Sequence, residues 1–417
     1  MEKDANPRAS EDGSKLYAAV KRTVAAGAAS VALCFCAAMP ASAVDTISSA
    51  PQGVAGAWTP TPLPAQQRGT LTFVVKDWFS AMYNTKFMDE CPEGLTLSND
   101  EIWWRGISKE ERAKDTNNGL VQALARGNFA INRGPHHEDV CFNPTVVKDP
   151  PMTTVKGKFS YGANLDGTTD GHATAKTCSH EKFTGVDGTP AVDNQFYRVL
   201  GCAYGWRKQV GRHVEDNANE ARRTSGLGMI LIEITGVKDP RNSDDVTVTF
   251  YRSIDQYSLN ASGEPLPYSS YRIQTKPDGK PMFADSLKGS IKDGVLTTER
   301  GTVSLPFYGN YTYMHPEMRD MGLRLEIAPD GQTAKGLVTG YYDAEAYLYY
   351  LLGQGFAASI HGDSCPALYD AFHKYADGYP DPKTGQCTML SSAWDLTAYA
   401  AFAIHPEEKG ERKTAQR

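Results

Sequence analysis

Between Leu227 and Asp343 the apolar and polar residues alternate with a period of two. Val246, Val248 and Phe250 interleave with Thr247, Thr249 and Tyr251, and Leu323, Leu325 and Ile327 interleave with Arg324 and Glu326. Successive side chains of a strand point to opposite faces, so this pattern predicts strands with one buried and one wetter face. Turn-forming groups punctuate the runs: the polar stretch Lys238–Asp245, then Pro277-Asp278-Gly279, Asp293-Gly294 and Pro329-Asp330-Gly331. About eight short antiparallel strands in roughly 115 residues predict a β-sandwich or jelly-roll-like domain over 226–343.

Helical signals flank this region. Ser98 with Glu101, and Ser108 with Glu111, have the spacing of capping boxes, while Gly119, Gly127 and Gly134 keep the helices that follow short. After Tyr342, Ala344–Leu352 is a compact apolar segment. Ser364–Ala376 places Pro366 in a first turn, with Leu368, Ala371, Phe372 and Tyr375 on one face. The expected fold class is therefore α+β, mainly β: a sandwich or jelly-roll-like core, a disulfide-stapled N-terminal region and a small helical C-terminal lobe. The boundaries read as a cysteine- and Asp/Gly-rich α+β region at 69–225, the β-domain at 226–343, a helical disulfide-stapled lobe at 344–404 and a charged tail at 405–417. Residues 44–68, rich in Ala, Pro, Gln and Thr, read as a flexible linker.

The segment before that linker sets the compartment. Lys15, Lys21 and Arg22 precede an uncharged run from Thr23 to Met39, and Ala41-Ser42-Ala43 then offers a small-x-small cleavage pattern. Residues 1–43 thus read as a secretory signal peptide, with the periplasm or the extracellular space as destination. Past it lie Cys91, Cys141, Cys178, Cys202, Cys365 and Cys387, an even number that suits an oxidising compartment. Short spacing favours Cys91 with Cys141, Cys178 with Cys202 and Cys365 with Cys387. The chain carries 43 Lys and Arg against 49 Asp and Glu, a net charge of −6. That balance argues against nucleic acid, which rewards a basic patch. No segment beyond the signal is long and apolar enough to predict a membrane span.

Candidate chemistry concentrates in one stretch. Asn164-Leu165-Asp166-Gly167-Thr168-Thr169-Asp170-Gly171 is followed by Gly185-Val186-Asp187-Gly188 and Asp193-Asn194. Calcium takes six to eight oxygen ligands on a tightly turning backbone, which Asp and Asn alternating with Gly supply. With Asp166 at loop position 1, the EF-hand spacing fails at position 12, where Cys178 replaces a bidentate carboxylate. A looser calcium loop is expected instead, with Asn164, Asp166, Asp170, Asp187 and Asp193 as ligands. Asp377-Gly378-Tyr379-Pro380-Asp381 is a second acidic patch of this kind. The runs NLDGTTDGHATAKTCSH and GVDGTPAVDNQFYRVLGC resemble segments of uncharacterised secreted bacterial proteins with aspartate-glycine-rich, cysteine-stapled loops. That resemblance implies export and calcium, and it brings no activity with it.

His136-His137-Glu138-Asp139 gathers four candidate acid–base groups in one loop, although adjacent residues rarely chelate one metal together. Nucleophile elbows, P-loops and dinucleotide fingerprints are absent from the sequence. The expected function is therefore an exported, non-catalytic binding or structural protein of the cell envelope or medium, stabilised by disulfides and calcium, whose partner is a ligand, a protein or a glycan. The alternative is an extracytoplasmic hydrolase acting on a polymer such as a glycan, with its chemistry at His136–Asp139.

Overall fold

The structure is a computed structural model that describes residues 69–114, 130–207, 215–305, 307–309, 312–313, 316–352 and 362–406. The signal peptide at 1–43, the linker at 44–68 and the tail from 407 onward lie outside the described residues. Eight strands dominate: β1 (Thr70–Ser80), β2 (Ile230–Thr235), β3 (Ser243–Arg252), β4 (Ser286–Lys292), β5 (Val295–Thr298), β6 (Glu317–Ile327), β7 (Thr333–Asp343) and β8 (Cys387–Ile404). Each pairs antiparallel with the next in chain order. β8 then returns to β1, with Thr72 opposite Ala401 and Ser80 opposite Trp394.

That last pairing corrects the expected architecture. A sandwich or jelly roll needs two facing sheets with free edges, whereas here the first and last strands close the sheet into an eight-stranded barrel with extra strands attached. Closure removes the exposed edges that would otherwise invite intermolecular pairing. Barrel strands also come from all three sequence regions, 69–225, 226–343 and 344–404. Cys387–Ile404, read as part of the helical lobe, is the longest strand of the sheet.

Local chemistry makes the hairpins. Asp293 and Gly294 both have positive φ (51° and 81°), which lets a two-residue turn join β4 to β5. Inward residues such as Phe73, Ile232, Val248, Phe250, Leu323, Leu325, Val338 and Leu396 belong to one buried cluster. An eight-stranded barrel is just wide enough for side chains to fill it, and here they do. Outward positions on β6 and β7 carry Arg324, Glu326 and Lys335, all exposed. The outward face elsewhere is apolar and covered: Val74, Leu231, Tyr251 and Ala401 pack with Tyr257, Tyr271 and Ile273 in a second buried cluster. Among the described residues no helix is long and apolar enough to cross a membrane.

Three helices extend the interior cluster: α1 (Gln195–Leu200), α3 (Ala344–Leu352) and α4 (Cys365–Tyr375), with α2 (Asp216–Ser225) lying against β1. Phe196 of α1 is the hub. Its ring lies 4.9 Å from Tyr347, 5.1 Å from Trp394 and 5.7 Å from Trp206. The Tyr347 and Trp206 pairs are edge-on and the Trp394 pair is tilted; edge-on pairs are worth about 0.5–1.5 kcal/mol each beyond the area they bury. The capping box of Ser98 and Glu101 is formed as expected, on the helix Asn99–Gly106.

The disulfides are Cys91–Cys202, Cys141–Cys365 and Cys178–Cys387. None of the three short-range pairings is present. The sequence separations are 111, 224 and 209 residues, because the staples tie the excursion between β1 and β2 to itself, to α4 and to β8 rather than closing local loops.

Candidate functional site

Cys178–Cys387 anchors the Asp/Gly-rich loop against the start of β8. The loop's shape follows from its own polar side chains. Asn164 Oδ1 accepts from the Gly167 amide at 2.8 Å, and Asp166 Oδ1 accepts from the Thr168 amide at 2.8 Å. Gly171, at φ 72°, has no room for a side chain: a Cβ there would stand 1.9 Å from the His180 carbonyl oxygen. Asn194 caps α1 by accepting from the Tyr197 amide. The helix start thereby fixes Asp193, the residue before the cap, which is fully buried.

Asp166, His180 and Asp193 consequently converge, with one ligand-type atom from each within 4.8 Å of the others. Lys182 lies between the two carboxylates, its Nζ 2.5 Å from Asp166 Oδ1 and 2.6 Å from Asp193 Oδ1. His180 Nδ1 faces the Cys178 carbonyl at 2.8 Å and Nε2 faces Asp193 Oδ1 at 2.7 Å. Both partners only accept, so both ring nitrogens donate and the ring is an imidazolium. Burial opposes that charge, but the Asp193 bond and the nearby Asp377 charge raise the His180 pKa above its ordinary value. Burial also works against the Asp193 carboxylate, yet bonds from His180 and Lys182 hold its pKa below the usual range.

The second acidic patch joins the first. Asp377 Oδ1 accepts from the Ser391 amide at 2.7 Å, and Oδ2 lies 3.7 Å from His180 Nε2 with no hydrogen-bond partner. Burial pushes its pKa up to about 6, even against the His180 charge and the Ser391 amide. Beside this network a cavity of about 300 Å³ is walled by Asp166, Lys176, Arg300, Asp320 and Tyr341. The Tyr341 side chain belongs to a residue only 1% exposed, and its hydroxyl has no hydrogen-bond partner. Gly378 packs so closely on the Tyr341 ring that a Cβ would come within 2.4 Å of it. Asp320 and Tyr379 both have positive φ (48° and 56°), and Tyr379 donates to Asp320 Oδ2 at 2.9 Å. Asp320 sits where the register of β6 shifts against β7. Such conformations cost on the order of 1–3 kcal/mol each and cluster at binding and catalytic sites.

Of the five residues expected to bind calcium, Asp166 and Asp193 meet. Asp170 is exposed beside His172, Asp187 accepts from the Thr189 amide in its own turn, and the Asn164 side chain is spent within the loop. His136 and His137 are exposed. Glu138 accepts from the His136 amide at 2.7 Å and Asp139 from the Cys141 amide at 2.7 Å, so that loop spends its carboxylates on its own backbone. Lys182, Arg300 and Asp320 carried no signal in the sequence, the last two standing at ordinary positions of barrel-domain strands and their flanks, and Tyr341 showed only as one of the clustered tyrosines Tyr341-Tyr342 and Tyr347. No family model, curated protein or solved structure matches the chain.

Proposed function

We propose that this is an exported, non-catalytic binding protein in which the barrel is the scaffold and the Asp166–Asp193 pair beside the outer-wall pocket takes a cation, with calcium as the ion. The observation that carries this reading is that Asp166 and Asp193 already clasp a cation, the Lys182 ammonium, while acceptors around it are left over. The Tyr341 hydroxyl makes no hydrogen bond, Asp377 Oδ2 has only the His180 charge 3.7 Å away, and Asp320 is held at the cavity by strained backbone. Burying polar groups without partners is costly, so the arrangement suits receiving a ligand better than it suits stability. Carboxylate oxygens favour calcium, which prefers oxygen donors. His180, with both nitrogens donating, would orient Asp193 rather than bind the ion.

Three disulfides support the exported part of the reading. The hydrolase alternative draws no support from His136–Asp139, whose histidines face solvent and whose carboxylates cap their own turns. Calcium at 100 times its dissociation constant should stabilise the fold by about 2.7 kcal/mol. The test is thermal unfolding of metal-free protein with and without calcium, alongside Asp166→Asn. A calcium-dependent rise in Tm that the variant loses supports the reading, and identical curves in chelator and calcium refute it.

A further inference from the structure

A second depression lies on the same outer wall and shares no residue with the cation pocket. Its volume is about 580 Å³, within the range of ligand clefts. The barrel supplies Arg324 and Glu326 from β6, Lys335 from β7 and Asp395 from β8, while Asn84 and Tyr161 stand on other segments that line it. The four charged groups are balanced in sign. Arg324 is ion-paired with Glu326, and Glu326 stands opposite Lys335 in the strand register. A polyanion or polycation would gain nothing net from such a surface, and a neutral molecule with many hydroxyls would find donors and acceptors already fixed in place.

The lip of the groove is aromatic. Tyr161 is 40% exposed and the neighbouring Phe159 is 46% exposed, unusually open for large apolar side chains. Both pack on Tyr83, with ring centroids 6.2 and 6.1 Å away, so they form a supported patch rather than two loose side chains. Asn84, which also lines the groove, turns its amide inward: Oδ1 is buried without a hydrogen-bond partner and Nδ2 reaches the Trp206 carbonyl. Aromatic rings take the apolar face of a pyranose, and carboxylate, guanidinium and ammonium groups take its hydroxyls. From this combination we infer that the groove binds a neutral glycan chain.

The probes are gels containing soluble neutral β-glucan, xylan or galactomannan, and gels containing the anionic polygalacturonate or alginate. At least one neutral polymer should retard the protein, with affinity at least ten-fold lower in Tyr161→Ala and in Arg324→Gln. Asp166→Asn, in the other pocket, should leave retardation unchanged, so the glycan inference and the cation reading fail separately. The surface substitutions are checked by an unchanged Tm. Free migration of the intact protein through every neutral gel would overturn the inference. So would equal retardation by the anionic polymers, or retardation indifferent to both Tyr161→Ala and Arg324→Gln.

Discussion

Two buried charge networks sit beside two of the disulfides, and they are built to different ends. Next to Cys91–Cys202, Arg207 and Glu90 are both almost wholly buried and ion-paired. Glu90 Oε1 also accepts from the Thr85 and Lys86 amides at 2.8 Å each, and Arg207 donates to the Gly201 carbonyl at 2.7 Å. Neither residue lines one of the two cavities described above. Next to Cys178–Cys387, Lys182 and His180 serve Asp166 and Asp193, yet Asp377 Oδ2 and the Tyr341 hydroxyl make no hydrogen bond, and a cavity lined by Tyr341 opens beside the network. A network whose carboxylate is satisfied and closed off rigidifies a fold. One that keeps unspent acceptors at a cavity, against their desolvation cost, is placed to receive something.

The largest expected effect falls on the closed network. Replacing Arg207 with Met leaves the Glu90 charge buried and unpaired, and should cost about 3–5 kcal/mol in urea unfolding. Its pH dependence has a definite sign. Burial raises the Glu90 pKa, but the Lys86 amide, Arg207 and the Thr85 amide outweigh it, and the folded value lies below the ordinary one. Stability from Glu90 is therefore fully present above about pH 4.5 and lost as pH falls through the folded value. Arg207→Met should flatten that acid limb, and an unaltered limb would show that the pairing matters little.

A smaller effect is expected at the staple of the open network. The double replacement Cys178→Ser with Cys387→Ser should lower stability by about 2–4 kcal/mol. The far-ultraviolet signature of the barrel should persist, because the pairings of β8 with β1 and β7 do not depend on that bridge. Smallest of all is Tyr341→Phe. Removing a buried hydroxyl that has no hydrogen-bond partner should raise stability, by about 1 kcal/mol. A loss of 2 kcal/mol or more, on the order of a broken buried hydrogen bond, would mean that the hydroxyl serves the fold and the two networks are alike.

Much of the barrel wall was legible in the chain. The alternation around Val248 and Leu323 and the Asp293-Gly294 turn are local signals, and local signals specify hairpins. Closure was not legible, since it rests on Thr72 meeting Ala401 across the whole fold. β8 hid for a related reason. It is rich in alanine, a helix former, because small side chains at Ala398 and Ala400 fit the crowded interior between β1 and β7. The site divides in the same way. Asp166 and Asp377 stand out in Asp-Gly pairs and Asp193 in an Asp-Asn pair, whereas Asp320 and Tyr341 look like ordinary strand residues until the sheet curves them toward the loop. The disulfide partners were equally hidden, because loop spacing carries no information about contacts made through a barrel wall.

Whether Lys182 occupies a cation site between Asp166 and Asp193 is decided by melting Lys182→Met in chelator and in calcium. Without a cation the variant leaves two buried carboxylates facing each other, and it should lose about 3 kcal/mol of stability relative to the parent protein. Calcium should restore most of that loss and stabilise the variant more than it stabilises the parent, since no ammonium has to be displaced. A Tm for Lys182→Met that is the same in calcium and in chelator would contradict the account and leave the network as a purely structural one.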